Sequence, residues 1–307
     1  MKSTLRFRED GTFKIVQFTD VHWRNGDERD LHTRKVLDLV LKEEQPDLIV
    51  FTGDLVDSTH CADVKASFRE VLDFAERAAK PFAFVFGNHD SEAGATREEL
   101  MEIAQTYAYN LAEAGPTELD GVGNYTLSVF DREGEQLVHT LYFLDSGSYA
   151  PIEAVGGYEW IHRSQIQWYA DEAMKRAKSG QEPTPALAFF HIPLPEYTEV
   201  WEKGSCIGNK LENVCSPKIN TGLFTQMIES GDVAGTFVGH DHLNDYAGDL
   251  YGIRLCYGRA TGYSTYGRDD FERGARIIQL REGERSFDTW IRLANNEVIE
   301  EKLPVNS

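Results

Sequence analysis

The chain has 307 residues, long enough to bury one large core, and no Pro- or Ser-rich linker, repeat or low-complexity stretch divides it, so one domain spanning 1–307 is expected. Its 51 acidic residues against 31 basic ones give a formal charge of −20, a surface that repels nucleic-acid backbones and disfavours a grip on long duplexes. No apolar stretch approaches 18 residues, so no membrane span is expected.

The first ten residues lack an apolar core and run straight into a strand at 14–19, which does not fit a secretory signal. A helix over 30–44 places Leu37, Val40 and Leu41 on one face and ends at Pro46; a strand follows at 48–52. The helix over 63–79 is clearer, because Val64, Phe68, Val71, Leu72 and Ala75 recur at helical spacing. Pro81 opens a strand at 82–86. Thr96 with Glu99 forms a capping-box signature for a helix carrying Leu100, Ile103, Tyr107 and Leu111, stopped by Gly115-Pro116. Segments 125–130 and 138–145 suggest a hairpin around Arg132-Glu133-Gly134. Ser164 with Gln167 marks a further helix running toward Lys178-Ser179-Gly180. A strand at 186–190, a helix at 221–230 and a strand at 235–238 precede a strand-rich end at 250–257, 275–280 and 286–293. The pattern implies an α/β fold of two mixed sheets packed face to face, with helices outside. The four cysteines, Cys61, Cys206, Cys215 and Cys256, form no C-x-x-C; they suit a reducing cytoplasm, and Cys206 and Cys215 could pair across a loop.

Five of the apolar runs end in metal-binding residue types: Asp20-Val21-His22, Gly53-Asp54, Gly87-Asn88-His89-Asp90, His191, and Gly239-His240-Asp241-His242. Parallel strands bring their C-terminal ends to one rim, where α/β proteins place their sites. Asp and Asn next to Gly also mark ordinary turns. A turn reading does not account for ligand chemistry at five strand ends. Asp20, His22, Asp54, Asn88, His191, His240 and His242 are too many for one ion and suit two that share a carboxylate. Two divalent ions about 3.5–4 Å apart clamp the attacking and leaving oxygens of an in-line displacement. With only two carboxylates in the set, such a centre keeps a positive excess and favours phosphate. The mixed N/O ligands suit Mn, Fe or Zn.

The ordered motifs D-x-H, G-D, G-N-H-D, a lone His and G-H-x-H resemble the calcineurin-like metallophosphoesterase superfamily from Asp20 to His242. The resemblance implies a four-layer α-β-β-α sandwich and two divalent or trivalent ions. It would place Asp20, His22, Asp54 and His242 on one ion, and Asp54, Asn88, His191 and His240 on the other. Asp54 would bridge, His89 would act as general acid near the leaving group, and Asp90 would orient His89. The stretch from Phe237 to Gly248 and the later Arg259–Gly267 look like the purple-acid-phosphatase-like branch. There the family carries Gly two residues after the first Asp and Tyr three residues after the Asp of G-D. This chain has His22 and Asp57 instead.

Asp57 and His60 are candidates to support ligand imidazoles, and Trp23 and Arg24 to floor the substrate pocket. Asp241 and Asp245 are expected to face outward. The long segment 193–224, with Lys203, Lys210 and Lys218, and the loop 259–268, with Tyr263 and Tyr266, are candidate substrate rims. The expected activity is hydrolysis of phosphate esters by in-line attack of a metal-bridging hydroxide, with His89 assisting the leaving group. A small phosphorylated substrate is favoured over nucleic acid, and the oligomeric state stays open. The alternatives are a phosphodiesterase acting on cyclic nucleotides or nucleic-acid ends, and a non-catalytic metal-binding scaffold. With no tyrosinate ligand at position 57, the iron-loaded protein is predicted to show no purple charge-transfer band; a visible absorption band on iron loading would overturn this.

Overall fold

In the computed structural model, which describes residues 4–177, 182–203 and 206–301, the chain opens with β1 (Leu5–Arg6), β2 (Thr12–Phe18), α1 (Glu28–Glu44), β3 (Leu48–Thr52), α2 (Val64–Arg77), β4 (Phe82–Val85) and α3 (Arg97–Ala104). The hairpin β5 (Tyr125–Phe130) and β6 (Leu137–Phe143) leads to α4 (Arg163–Arg176), β7 (Ala186–Phe189), α5 (Glu196–Glu202), β8 (Cys206–Ile207), α6 (Leu223–Ser230) and β9 (Val233–Val238). Then come β10 (Ala247–Leu250), β11 (Ile253–Tyr257), β12 (Gly274–Arg281), β13 (Phe287–Leu293) and β14 (Val298–Glu300).

One sheet has the order β1-β5-β6-β7-β9-β11-β10-β8 and the other β14-β13-β12-β2-β3-β4. Both are mixed: β2, β3 and β4 run parallel in one, and β6, β7, β9 and β11 in the other. Their inner faces share one apolar cluster, with Phe237 and Phe287 in ring contact across it at 5.4 Å. Helix α1 covers the six-stranded sheet, while α5 and α6 lie against the eight-stranded sheet and α4 packs on α6. This is the α-β-β-α sandwich. A buried polar contact sets the sheets in register: Gln17 Nε2 donates to the Val238 carbonyl at 3.0 Å. The exits of β2 and β9 therefore lie side by side, which brings Asp20 next to the Gly239–His240 turn.

Local chemistry explains most boundaries. Asp27, Asp63 and Thr96 accept from the backbone N–H three residues on and start α1, α2 and α3; the Thr96–Glu99 capping box is present. The apolar stripe of α2 is buried as its spacing predicts. Three expectations need correction. Helix α3 stops at Ala104, not near Leu111, because the backbone around Asn110 is drawn into a parallel bridge with Phe82, with Leu111 N donating to the Phe82 carbonyl at 2.8 Å. The strand expected at 250–257 begins only at Ile253: Leu250 ends β10, and Tyr251 and Gly252 both adopt positive φ and reverse the chain into β11. Helix α4 begins two residues earlier than a Ser164 cap implies: Gln165 accepts from His162 N at 2.7 Å, while the Ser164 hydroxyl donates to Asp120. Its expected end at Lys178–Gly180 lies outside the described residues. All four cysteines are free, so Cys206 and Cys215 are not paired.

One buried group makes the core sensitive to acid. His139 on β6 is 1% exposed, packs beside Phe7, and has no hydrogen-bond partner at either ring nitrogen. Burial pushes its pKa from 6.5 down to about 4. The unfolded chain binds this proton more readily, so stability is intact above about pH 6.5 and is lost as pH falls toward about 4. The contribution is on the order of 3 kcal/mol. His139→Phe is predicted to flatten that part of the stability profile of the metal-free protein, measured by urea unfolding at several pH values. A variant as acid-sensitive as the parent would refute the assignment.

Candidate metal centre

The strand exits turn so sharply that non-glycine residues take left-handed backbone conformations. Among the described residues nine non-glycine residues have positive φ, and four of them are Asp20 (φ 53°), His22 (φ 48°), Asp54 (φ 50°) and His240 (φ 77°). Such conformations cost ~1–3 kcal/mol each and concentrate at functional sites. Here they aim four ligand-type side chains at one point. Glycines leave the room: a Cβ on Gly53 would sit 2.5 Å from His191 Nδ1, and one on Gly87 would collide with the Asp54 carboxylate.

The side chains that converge fall into two groups with ligand atoms within 4.8 Å of one another: Asp20, His22, Asp54 and His242, and Asp54, His191 and His240. All are buried. In the first, His242 Nε2 lies 3.3 Å from both Asp20 Oδ1 and His22 Nε2, and His22 Nε2 lies 3.5 Å from Asp54 Oδ2. In the second, His191 Nε2 lies 3.2 Å from the same Asp54 Oδ2 and 3.3 Å from His240 Nδ1. An ion about 2.1 Å from each of two ligands sets them about 3.0–3.4 Å apart, for octahedral or tetrahedral angles. The spacings match the edges of such polyhedra. Asp54 Oδ2 and Asn88 Oδ1 are buried without a hydrogen-bond partner. Unpaired buried acceptors are costly, and cations placed in the cluster would satisfy them. The donor set thus fits two metal ions.

The surrounding contacts orient the rings. His191 Nδ1 donates to the Thr52 carbonyl at 2.8 Å, which leaves Nε2 as the free lone pair. Thr265 Oγ1 holds His242 Nδ1 at 2.9 Å and so presents Nε2 to the cluster. His240 N donates to the Asp20 carboxylate, and His89 N to Asp54 Oδ1 at 2.8 Å. Burial pushes His22 and His240 down to about 3, so both are neutral ligands at pH 7. At His191 burial also opposes charge, but the Asp54 carboxylate outweighs it and raises the imidazole to about 9. A proton there takes the place of a cation.

The other candidate residues are distributed unevenly. His89 packs over His22, ring centroids 5.2 Å apart, with its Nδ1 2.7 Å from Glu92 Oε2. The carboxylate that pairs with His89 is therefore Glu92, not Asp90. Both oxygens of Asp90 are taken by the backbone N–H groups of Val56 and Gly87, which ties two ligand loops together. Burial, and then the nearby Asp54 charge, raise Asp90 to about 7. Asp57 holds Arg24 and His60 rather than a ligand imidazole, and Trp23 is buried with its indole N–H on Glu70. Asp241 and Asp245, expected outside, are buried: Asp241 accepts from Tyr257 Oη and Cys215 N, and Asp245 pairs with Arg259. Lys203 is held by Glu199 and Tyr251, and Lys218 by the Val155 carbonyl. Tyr263 turns away to Glu272, whereas Tyr266 stacks on His242 at 4.1 Å. Glu92, Tyr149, Tyr158 and Thr265 also border the centre and carry no motif of their own. Tyr149 Oη contacts Glu92 and Asn88, and Tyr158 meets His240 edge-on at 4.2 Å.

Because Asp54 Oδ2 belongs to both groups, Asp54→Ala is predicted to abolish binding of both ions, whereas Asp20→Ala leaves close to one per chain. Elemental analysis of the reloaded variants checks this; two ions retained by Asp54→Ala would contradict a shared ligand.

Residues 13–244 match the calcineurin-like phosphoesterase family. The chain is 37% identical to a protein of Arabidopsis thaliana named probable inactive purple acid phosphatase 29, over 94% of this chain and 84% of that protein. It is 35% identical to phosphatase DCR2 of Saccharomyces cerevisiae, over 94% of this chain and 55% of that one. In fold it is similar to a dimetal phosphatase from Danio rerio, with a TM-score of 0.62, 13% identity, and coverage of 94% of this chain and 99% of the other. With its buried Asp/His cluster at the motif-bearing strand ends, the chain belongs to the calcineurin-like phosphoesterase family, among relatives of the purple acid phosphatase type.

Proposed function

We propose that this protein is a dinuclear metal-dependent phosphoric ester hydrolase. The observation that carries the reading is the buried, hydrogen-bond-free Asp54 Oδ2 shared by two ligand groups. Two ions held by Asp20, His22, Asp54, Asn88, His191, His240 and His242 would polarise the phosphoryl oxygens and acidify the attacking water. Water adds to phosphorus in line with the ester oxygen, the P–O bond breaks, and the alcohol departs. His89 supplies the leaving oxygen with a proton. Burial opposes its charged form, but Asp54 and Glu92 outweigh this and raise its pKa above 6.5. Glu92 fixes the ring by accepting from Nδ1, so that Nε2 is free to act. The four free thiols support a reducing compartment such as the cytoplasm, and the acidic surface favours a small substrate over nucleic acid.

The non-catalytic scaffold is the second reading, because a relative carries the words probable inactive in its name. The complete ligand set and the His89–Glu92 pair speak for turnover. One experiment separates the two: hydrolysis of a chromogenic phosphomonoester and a phosphodiester by protein reloaded with Mn, Fe or Zn. Activity is expected, and the ratio of the two rates decides between monoesterase and diesterase. His89→Ala is predicted to lose about 10²–10⁴-fold in kcat while keeping its metals, and Glu92→Gln about 10-fold or more. Two bound ions with no hydrolysis of either ester would establish the scaffold. Near-normal kcat in His89→Ala would remove His89 from the mechanism.

A further inference from the structure

Four of the nine exposed large apolar side chains among the described residues, Tyr149, Ile152, Leu211 and Tyr266, lie on segments that border the metal centre. Tyr149 and Ile152 share the loop after β6, Leu211 N donates to the carbonyl of Leu243 just past His242, and Tyr266 stacks on His242. A concentration of exposed apolar surface beside a buried polar cluster marks a candidate binding site.

The two tyrosines are held for a purpose their own packing does not explain. Tyr266 lies 26° from the plane of His242 and is 52% exposed, so one face covers a ligand imidazole while much of the ring meets solvent. Its hydroxyl donates to Glu212 at 2.9 Å. The buried Arg273 guanidinium donates to the carbonyls of Thr265 and Tyr266 and so fixes that loop. Tyr149 is 48% exposed and lies 25° from the plane of Tyr158, whose ring meets His240. Its hydroxyl donates to Glu92 at 2.5 Å. Both rings are thus held, half-solvated plates, Tyr266 directly on His242 and Tyr149 one ring removed from His240 behind Tyr158. A rigid aromatic surface binds a planar partner at little entropic cost. Glu92 and Glu212 add negative charge near the plates, which disfavours a second phosphate group.

We infer that the cleft selects phosphate monoesters whose organic part carries a planar, uncharged aromatic ring, stacked on the exposed faces of Tyr149 and Tyr266. The inference rests on the phosphoesterase reading above. It applies equally to an aryl ester and to a nucleoside monophosphate.

The test is calorimetric binding, independent of turnover, to the full chain reloaded with manganese. Benzylphosphonate and cyclohexylmethylphosphonate carry the same charge and reach but differ in planarity. Benzylphosphonate is expected to bind about 3- to 10-fold tighter. Tyr266→Leu and Tyr149→Leu should each bring that ratio toward one, whereas Tyr149→Phe, which keeps the ring, should preserve it. An acyclic adenine phosphonate separates the two sources: tighter binding than the benzyl compound identifies nucleotides, weaker binding identifies aryl esters. Equal affinities for the benzyl and cyclohexyl compounds, or a ratio unmoved by both leucine variants, would overturn the inference and leave the phosphate site standing. If none of these phosphonates nor inorganic phosphate binds, the phosphoesterase reading falls and takes the inference with it.

Discussion

The structure is organised around a buried carboxylate oxygen on which two groups of ligand-type side chains converge. Asp54 is fully buried; its Oδ1 accepts from His89 N, while its Oδ2 faces His22 and His191 without hydrogen-bonding geometry. An uncompensated buried charge costs several kcal/mol. Two ligand groups meet at this atom, so a cation on either side relieves the cost, and cations on both sides relieve it best. Imidazoles supply most of the remaining ligands and carry no negative charge. Asp20 and Asp54 alone could not neutralise two divalent ions, and the excess positive charge would suit an anionic ligand.

Convergence at this point is imposed by backbone conformations the chain would otherwise avoid. Asp20, His22, Asp54 and His240 all sit in the left-handed region. The sheets over-determine those turns. Asp20 N donates to the Gly53 carbonyl, His22 N to the Asp54 carbonyl, and Gly239 N to the His191 carbonyl, so each ligand loop is braced by the next. Asp90 adds a further brace from within G-N-H-D by holding Val56 and Gly87. Rearranging any one loop therefore disturbs its neighbours, which ties a site built from five distant segments to one geometry.

Much of this was legible because its signals are local. An apolar run ending in Gly-Asp or Gly-His announces both a buried strand and the chemistry at its end, and the stripe of α2 and the Thr96–Glu99 box are contained in single turns of helix. What escaped depends on partners distant in sequence. Tyr107 and Leu111 continue a helical pattern, but pairing of that segment with Phe82 outcompetes it. Asp241 and Asp245 look like surface acids until Tyr257 and Arg259, from the following strand and loop, bury them. Glu92 lies three residues from His89, close enough to pair with it, yet the adjacent Asp90 is the more obvious partner. Only the backbone N–H groups that consume Asp90 reveal which carboxylate is free to hold the imidazole.

The same reasoning explains the polar layer beneath G-H-x-H. Arg276 is wholly buried and donates to Glu301, Thr289 and the carbonyls of Tyr257 and Asp245. Tyr257 in turn donates to Asp241, between the two ligand histidines, and Arg259 pairs with Asp245 just beyond them. A buried ion pair gains little stability over a well-packed apolar substitute, because both charges must be desolvated. Its advantage here is directional. Leucines in place of Arg276 and Glu301 would fill the space but could not dictate where the Asp245 and Tyr257 carbonyls point. A turn that carries His240 and His242 into the buried Asp/His cluster needs that direction specified. The network therefore serves ligand geometry more than folding free energy, and it links Glu301, near the end of the described chain, to the metal-facing rim.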